Sequence, residues 1–204
     1  MTIWDRRILP VLLDKACRSG PIREERERLV PQAVGRTIEI GVGTGLNLPF
    51  YTREVTEVVG IDPSAAILAK ARERVAECQV PVTLIEARAE ALPWADGSFD
   101  SAVVTYSLCS VDEPVRVLRE LRRVLRPGGR MVFVEHGLAR AALTRAWQQA
   151  ATPFWRRMAG NCHLDRDIPG LLREAGFRTI ELSEKASGGP SLTGYSYEGV
   201  AVGR

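Results

Sequence analysis

From Thr37 onward the chain alternates short apolar strands with amphipathic helices, and nothing else in it constrains the fold as much. Thr37–Ile40 predicts a strand that runs into glycines. Val55–Ile61 predicts a second strand and Val82–Ile85 a third. Phe99–Tyr106 predicts a fourth, and its Ala102-Val103-Val104 run suits burial on both faces. Pro63–Val75 has helical spacing, with Ile67, Leu68, Ala71 and Val75 facing inward. Asp112 stands where it can cap the next helix, with Pro114 in the first turn and Val117, Leu118, Leu121 and Leu125 on one face. Arg126-Pro127-Gly128-Gly129 ends that helix before a fifth strand, Met131–Glu135. Pro169–Ala175 predicts a further helix stopped at Gly176, followed by strands at Phe177–Leu182 and Val200–Val202. Such units joined by short connections dictate an α/β fold, with a mostly parallel sheet covered by helices on both faces.

A length of 204 residues fits one domain. Within it, residues 1–35 read as an N-terminal helical cap, 36–136 as one half and 137–204 as the other. In the cap, Thr2 and Asp5 form a capping box, and Ile8, Leu9, Leu12 and Leu13 share a face. Ser19-Gly20-Pro21 breaks it, and Arg23–Arg28 reads as a solvated helix face. A content of 45% hydrophobic and 26% charged residues excludes a disordered tail or a coiled-coil rod. The formal charge of +3 lacks the basic excess of a nucleic-acid binder, so no nucleic acid is expected as partner. The four cysteines, Cys17, Cys78, Cys109 and Cys162, are too scattered for a disulfide scaffold. They contain no C-x-x-C pair, so no metal ligand is assigned. No apolar run reaches about 18 residues, so no integral membrane segment is expected. Met1–Leu13 carries Asp5, Arg6 and Arg7 and lacks a secretory core, which makes a cytoplasmic location the expectation. No feature specifies an oligomeric state.

The chemistry concentrates where the first strand ends. Glu39-Ile40-Gly41-Val42-Gly43-Thr44-Gly45 places three glycines at the turn, where a ligand can approach the backbone and the N–H groups of a following helix. A glycine-rich turn alone fits an ordinary tight turn equally well. Asp62, 21 residues after Gly41 and at the end of the second strand, adds a second signal, since an acid there accepts both hydroxyls of a ribose. Asp62 is also placed to cap the helix beginning at Pro63, a task Ser64 fills as well. Together the two signals point to a nucleoside site.

Glu39-x-Gly41-x-Gly43-x-Gly45, Gly60-Ile61-Asp62-Pro63-Ser64, the run from Ala89-Glu90-Ala91-Leu92-Pro93 to Asp100, and Leu125-Arg126-Pro127-Gly128-Gly129 occur in one order. In combination, from about Thr37 to Glu135, they resemble the class I S-adenosylmethionine-dependent methyltransferases of the type 11 group. The resemblance implies a seven-stranded Rossmann-like sheet with its last strand antiparallel, S-adenosyl-L-methionine as cofactor and S-adenosyl-L-homocysteine as product. It also implies that Glu39, Gly41, Gly43 and Gly45 hold the methionine end. Asp62 would take the ribose hydroxyls, Pro63 would lie against adenine, and Ala89 would meet its edge. Thr105 and Tyr106 would flank the cofactor near its methyl group. Relatives commonly carry Asp before that alanine. Arg88 stands there instead and cannot accept a hydrogen bond, which leaves the adenine contact to backbone or to Glu90.

Leu108-Cys109-Ser110-Val111, Glu135-His136, and the segment from Trp147-Gln148-Gln149 through Pro153, Trp155, Gly160 and Cys162 resemble a narrower group. It is the small methyltransferase-like proteins that include the membrane-associated alkyl thiol S-methyltransferases of animals, whose N-terminal anchor is not seen here. The resemblance implies a small, apolar thiol as acceptor. Displacement at a sulfonium carbon needs alignment above all, and a thiol with a pKa of about 8.5 needs little help from a base. His136, at the carboxyl edge of the fifth strand, and Tyr106 are the candidates for that help. An orienting role for His136 in a loop is the competing reading, and His163 is the weaker candidate.

Cys109 reads as pocket wall, because direct transfer needs no enzyme thiol. Residues 138–164 read as lid or acceptor pocket, with Trp147, Ala151, Phe154 and Met158 as one core-facing helical stripe and Trp155 off it. The stretch from Ser187-Gly188-Gly189-Pro190 to Tyr195 reads as a loop, and Tyr195 or Tyr197 stands within possible reach of the site. The competing functions are C- or N-methylation of a quinone precursor or a phospholipid amine, and cofactor binding without turnover. Thr105-Tyr106-Ser107-Leu108 stands where nucleic-acid amine methyltransferases carry an N-P-P-Y type motif.

Overall fold

The chain threads through α1 (Gly20–Leu29), β1 (Gly35–Ile40), β2 (Val55–Asp62), α2 (Ala65–Arg74), β3 (Val82–Glu86) and β4 (Phe99–Thr105). It continues through α3 (Pro114–Val124), β5 (Leu125–His136), α4 (Ala142–Met158), α5 (Ile168–Glu174), β6 (Phe177–Ala186) and β7 (Tyr195–Gly203). The computed structural model describes residues 14, 17, 18, 20–186 and 195–203. The expected capping box at Thr2 and Asp5, the face of Ile8, Leu9, Leu12 and Leu13, and the loop at 187–194 lie outside the described residues. The seven strands form one sheet in the order β3-β2-β1-β4-β5-β7-β6. All pair in parallel except β7, which runs antiparallel to both β5 and β6. This is the expected Rossmann-like α/β fold.

Both faces of the sheet are buried. On one, Ile38, Ile40, Ala102, Val104, Met131 and Phe133 pack against Val117, Leu118, Leu121 and Val124 of α3 and Ile168 and Leu172 of α5. On the other, Val58 and Val103 meet Val30, Leu48 and Tyr51, while Val132 and Val134 meet Leu29. The crossover order reverses between β1 and β4, which opens a crevice at their carboxyl ends. No helix among the described residues is long and apolar enough to cross a membrane.

Several local expectations are corrected. The helix expected behind the glycines is a single turn of 3-10 helix, Leu48–Phe50. Glu113, not Asp112, occupies the N-cap of α3 and makes no side-chain cap bond, because Asp112 is held by Arg88 and Asn161. Arg126-Pro127-Gly128-Gly129 lies inside β5, where a register shift between Phe99 and Ser101 accommodates it. Leu125 therefore belongs to that strand and not to the helix. β6 and β7 both run beyond their expected ends.

Two helices also face differently from expectation. In α1, Glu25 and Arg26 turn inward and are buried, because partners await them there. In α4, Trp147, Phe154 and Met158 are exposed, and the buried residues are Gln148 and Thr152. The stripe is real, but it faces away from the sheet. Gln148 accepts from the Ala139 N–H at 2.8 Å and donates to the Gly137 carbonyl at 3.1 Å, which holds α4 to the loop after β5. The helix runs through Pro153 without a break.

Candidate functional site

A cleft of about 740 Å³ opens over the carboxyl ends of β1, β2 and β4. Glu39 enters it from β1, fully buried. One carboxylate oxygen accepts from Asn47 Nδ2 at 2.8 Å and the other from the Tyr51 hydroxyl at 2.7 Å. Burial pushes its pKa up to about 7, against the pull of those two bonds and of Arg26. Asn47 Nδ2 also donates to Thr105 Oγ1 at 2.9 Å, and that ties the turn after β1 to the end of β4. Asn47 Oδ1 and Arg26 Nε are buried with no partner among the described residues.

The glycine turn lines the cleft through Gly41, Gly43 and Thr44. Gly41 has φ +63°, and a Cβ there would lie 2.3 Å from Ser107 Oγ, so the position demands glycine twice over. Gly45 does not line the cleft. Its φ of +81° and a Cβ position 3.3 Å from the Ala71 backbone make it a packing residue.

Asp62, at the end of β2, is buried in the cleft wall, and its Oδ1 accepts the Ser64 N–H at 2.9 Å. Ser64 itself caps α2, so the capping reading of Asp62 is set aside. Burial raises the Asp62 pKa, partly offset by the N–H groups of Ser64 and Gly43. Pro63 and Ala89 line the same wall. Arg88 is exposed at the rim, paired with Glu90 at 3.2 Å and Asp112 at 3.0 Å.

The chain before β1 lies over the glycine turn. Asp14 pairs with Arg74 at 3.0 Å and accepts from the Thr44 hydroxyl, while Arg74 also donates to the Thr44 carbonyl. Asp14, Cys17, Ile22 and Arg26 thereby become part of the cleft wall.

The far end of the cleft is built from pieces distant in sequence. Tyr106 has φ +54°, its hydroxyl donates to the Glu25 carboxylate, and its ring centroid lies 4.6 Å from that of His136. Burial and the Glu25 bond hold its phenol far above the usual range, so it keeps its proton. Glu135 is fully buried and accepts the N–H groups of Ser107 (2.7 Å), Leu108 (2.9 Å) and Cys109 (3.0 Å), which fixes the turn after β4. Arg166 donates to the Leu108 and Val111 carbonyls, and Asn161 to that of Ser110.

Cys162 Sγ stands 3.6 Å from His136 Nδ1. Cys109, His136 and Cys162 bring their sulfur and nitrogen atoms within 4.8 Å of one another. The nearness of the two sulfurs holds the Cys109 thiol well above its usual range and lowers the Cys162 pKa despite its burial. Burial disfavours charge on His136, but the Cys109 sulfur and the Glu135 and Glu25 carboxylates outweigh it and raise its pKa. Trp155 lines the cleft from α4.

The structure thus gathers Glu39, Gly41, Gly43, Asp62, Pro63, Ala89, Thr105, Tyr106 and His136 around one cleft. Gly45, His163, Tyr195 and Tyr197 are not among its lining residues. Tyr197 donates to the Leu138 carbonyl at 2.9 Å and Tyr195 to Glu184, also at 2.9 Å. Asn47, Arg26 and Arg166 escape the sequence reading, and Cys162 enters it only within the narrower resemblance, with no role of its own.

The methyltransferase domain family model matches residues 38–133. The chain is 36% identical over 157 residues to phosphatidylethanolamine N-methyltransferase of Cereibacter sphaeroides, covering 76% of each chain. It is 32% identical over 190 residues to the human thiol S-methyltransferase TMT1B, covering 87% of this chain and 77% of that one. Its fold is similar to a SAM-dependent methyltransferase of Thermotoga maritima, described as a possible histamine N-methyltransferase, with a TM-score of 0.65 at 23% identity over 98% of this chain and 99% of that one. A cleft at the switch point, a glycine turn and a buried acid on consecutive strands, and relatives matched over most of their length lead to one family: the chain belongs to the S-adenosylmethionine-dependent methyltransferases, with S-adenosylmethionine as cofactor and S-adenosylhomocysteine as product.

Proposed function

We propose that this methyltransferase acts on a small, apolar thiol. The residues at the Glu39 end suit the amino-acid part of the cofactor. Asn47 Oδ1 is a buried acceptor without a donor and Arg26 Nε a buried donor without an acceptor, which matches an ammonium and a carboxylate. Glu39 and the Gly41–Thr44 backbone complete that end, and Gly45 serves it only by turning the chain. Asp62 keeps an oxygen for the ribose hydroxyls, with Pro63 and Ala89 against the adenine. The bound cofactor supplies an electrophilic methyl group on a sulfonium.

The observation that carries the thiol reading is the state of the carboxylates at the far end. Glu135 is taken by three backbone N–H groups, Glu25 by Tyr106, and Asp112 by Arg88 and Asn161. His136 is the group left to serve an incoming nucleophile. With no free carboxylate there to act as a strong base, the site suits a thiol, whose pKa of about 8.5 supplies thiolate with little help, better than an alcohol. Tyr106 shapes the pocket with its ring. Similarity to a thiol S-methyltransferase over 87% of the chain supports this reading. A second reading, N-methylation of a phospholipid amine, is favoured by the 36% identity to phosphatidylethanolamine N-methyltransferase.

The test is S-adenosylhomocysteine release with a matched alkyl thiol, alcohol, amine and quinol. Turnover with the thiol alone is expected, and turnover with the amine or quinol alone overturns the reading. The same reading makes the segment before β1 a cap over the cofactor. Deletion through residue 35 would also strip the buried Val30 and Ala33 from the core, so the cap is better probed by Arg26→Ala. Weaker cofactor binding in a chain that still melts cooperatively is the expected result.

A further inference from the structure

Cys109, His136 and Cys162 reach the cleft from three separate places: the turn after β4, the end of β5 and the turn after α4. Their ligand atoms lie within 4.8 Å of one another, with Cys162 Sγ and His136 Nδ1 at 3.6 Å. Zinc holds sulfur at about 2.3 Å and imidazole nitrogen at about 2.0–2.1 Å, which sets tetrahedral ligand atoms about 3.4–3.8 Å apart. The widest gap in this trio therefore closes with about 1 Å of movement, the scale of a side-chain rotation. We propose that these three residues bind one zinc ion whose fourth position opens to the acceptor.

Three further observations support the site. Two thiolates, a neutral imidazole and a divalent cation sum to no net charge, and a neutral complex avoids the cost of a lone buried charge. Two cysteines and a histidine with one position free match the ligand set of catalytic zinc and not that of closed structural sites. The ligand backbones are also held in place by other bonds. Glu135 takes the Cys109 N–H at 3.0 Å, the His163 N–H donates to the Cys109 carbonyl at 2.7 Å, and Asn161 Nδ2 reaches the Ser110 carbonyl at 2.8 Å. Those bonds lock the two cysteine turns together. They are the kind of outer support that orients metal ligands.

The role of the fourth position rests on the proposed S-methylation. Binding of zinc releases the two cysteine protons to solvent. The acceptor R–SH then coordinates as a thiolate and releases its own proton to solvent. Its sulfur forms a bond to the methyl carbon while the bond from that carbon to the sulfonium sulfur breaks. The product thioether is neutral and a poor ligand, so it leaves. His136 is then a ligand and takes no proton.

The test uses the full chain, purified under reducing conditions. Elemental analysis is expected to find about one zinc per chain, falling about tenfold or more in Cys162→Ser and in His136→Gln, each checked for folding by circular dichroism. Reconstitution of the unmutated chain with Co2+ gives a readout independent of activity: sulfur-to-cobalt charge transfer and tetrahedral d–d bands. Butanethiol is expected to shift those bands, and butanol is not. A folded chain that takes up neither zinc nor cobalt overturns the proposal, and so does a Cys109–Cys162 disulfide found by mass. Metal bound but blind to butanethiol upholds the ion and overturns its open position for the acceptor. Undiminished thiol methylation by metal-stripped enzyme also overturns that position, while the S-methylation reading stands.

Discussion

α3 and α4 bracket β5, and each carries an apolar stripe at helical spacing, yet they use it in opposite ways. α3 turns Val117, Leu118, Leu121 and Val124 fully into the sheet. α4 turns Leu143 and Phe154 outward, 89% and 68% exposed, and attaches itself to the loop after β5 through Gln148. One region is held by area removed from water, the other by a few directed hydrogen bonds. The sheet is packed, and the α4 side of the cleft is clamped.

The comparison can be broken most forcefully in α3. Leu121→Ala is expected to cost about 2–5 kcal/mol in urea denaturation, the range for cavities left by buried leucines. A smaller loss would mean that the helix is less deeply keyed to the sheet than its burial shows. Glu39 tests polar burial within the packed half. Its carboxyl is raised from 4.5 to about 7, so the protonated form favours the fold. That stability is fully present below pH 4.5 and is lost as pH rises through about 7. Glu39→Gln should therefore stabilise the cofactor-free chain at pH 8 by at most about 3 kcal/mol, give no gain at pH 4, and weaken cofactor binding. A pH-independent difference in thermal unfolding would contradict this.

On the clamped side, Gln148→Ala strands the Ala139 N–H and the Gly137 carbonyl. A loss of about 1–3 kcal/mol is expected, with earlier proteolysis in the 137–165 region. The smallest effect belongs to Phe154→Ser, which should change stability by no more than about 0.5 kcal/mol. A loss comparable to that of Leu121→Ala would show that the outward stripe is packed in solution.

Legibility in the sequence follows the same divide. The strands, α3, the glycine turn and Asp62 could be read because their signals are local: an apolar period, a turn residue, a spacing along two successive strands. The stripe of α4 was legible as a stripe, but periodicity does not say which side meets the protein. Charged-run logic put Glu25 and Arg26 in solvent, since only the fold reveals Tyr106 and the Cys17 carbonyl waiting for them. Asn47 lies in a turn with no pattern of its own. Cys109 and His136 follow neighbouring strands and Cys162 comes after α4, so no spacing in the sequence announces them.

The position of β7 has a consequence for how the chain is made. β6 pairs with no other strand, so it has nothing to join until residues 195–203 have been synthesised. A chain cut just before residue 195 would leave both β5 and β6 as open edges, each a template for pairing with a neighbour. Premature termination there should yield aggregated protein in place of a slightly shortened enzyme.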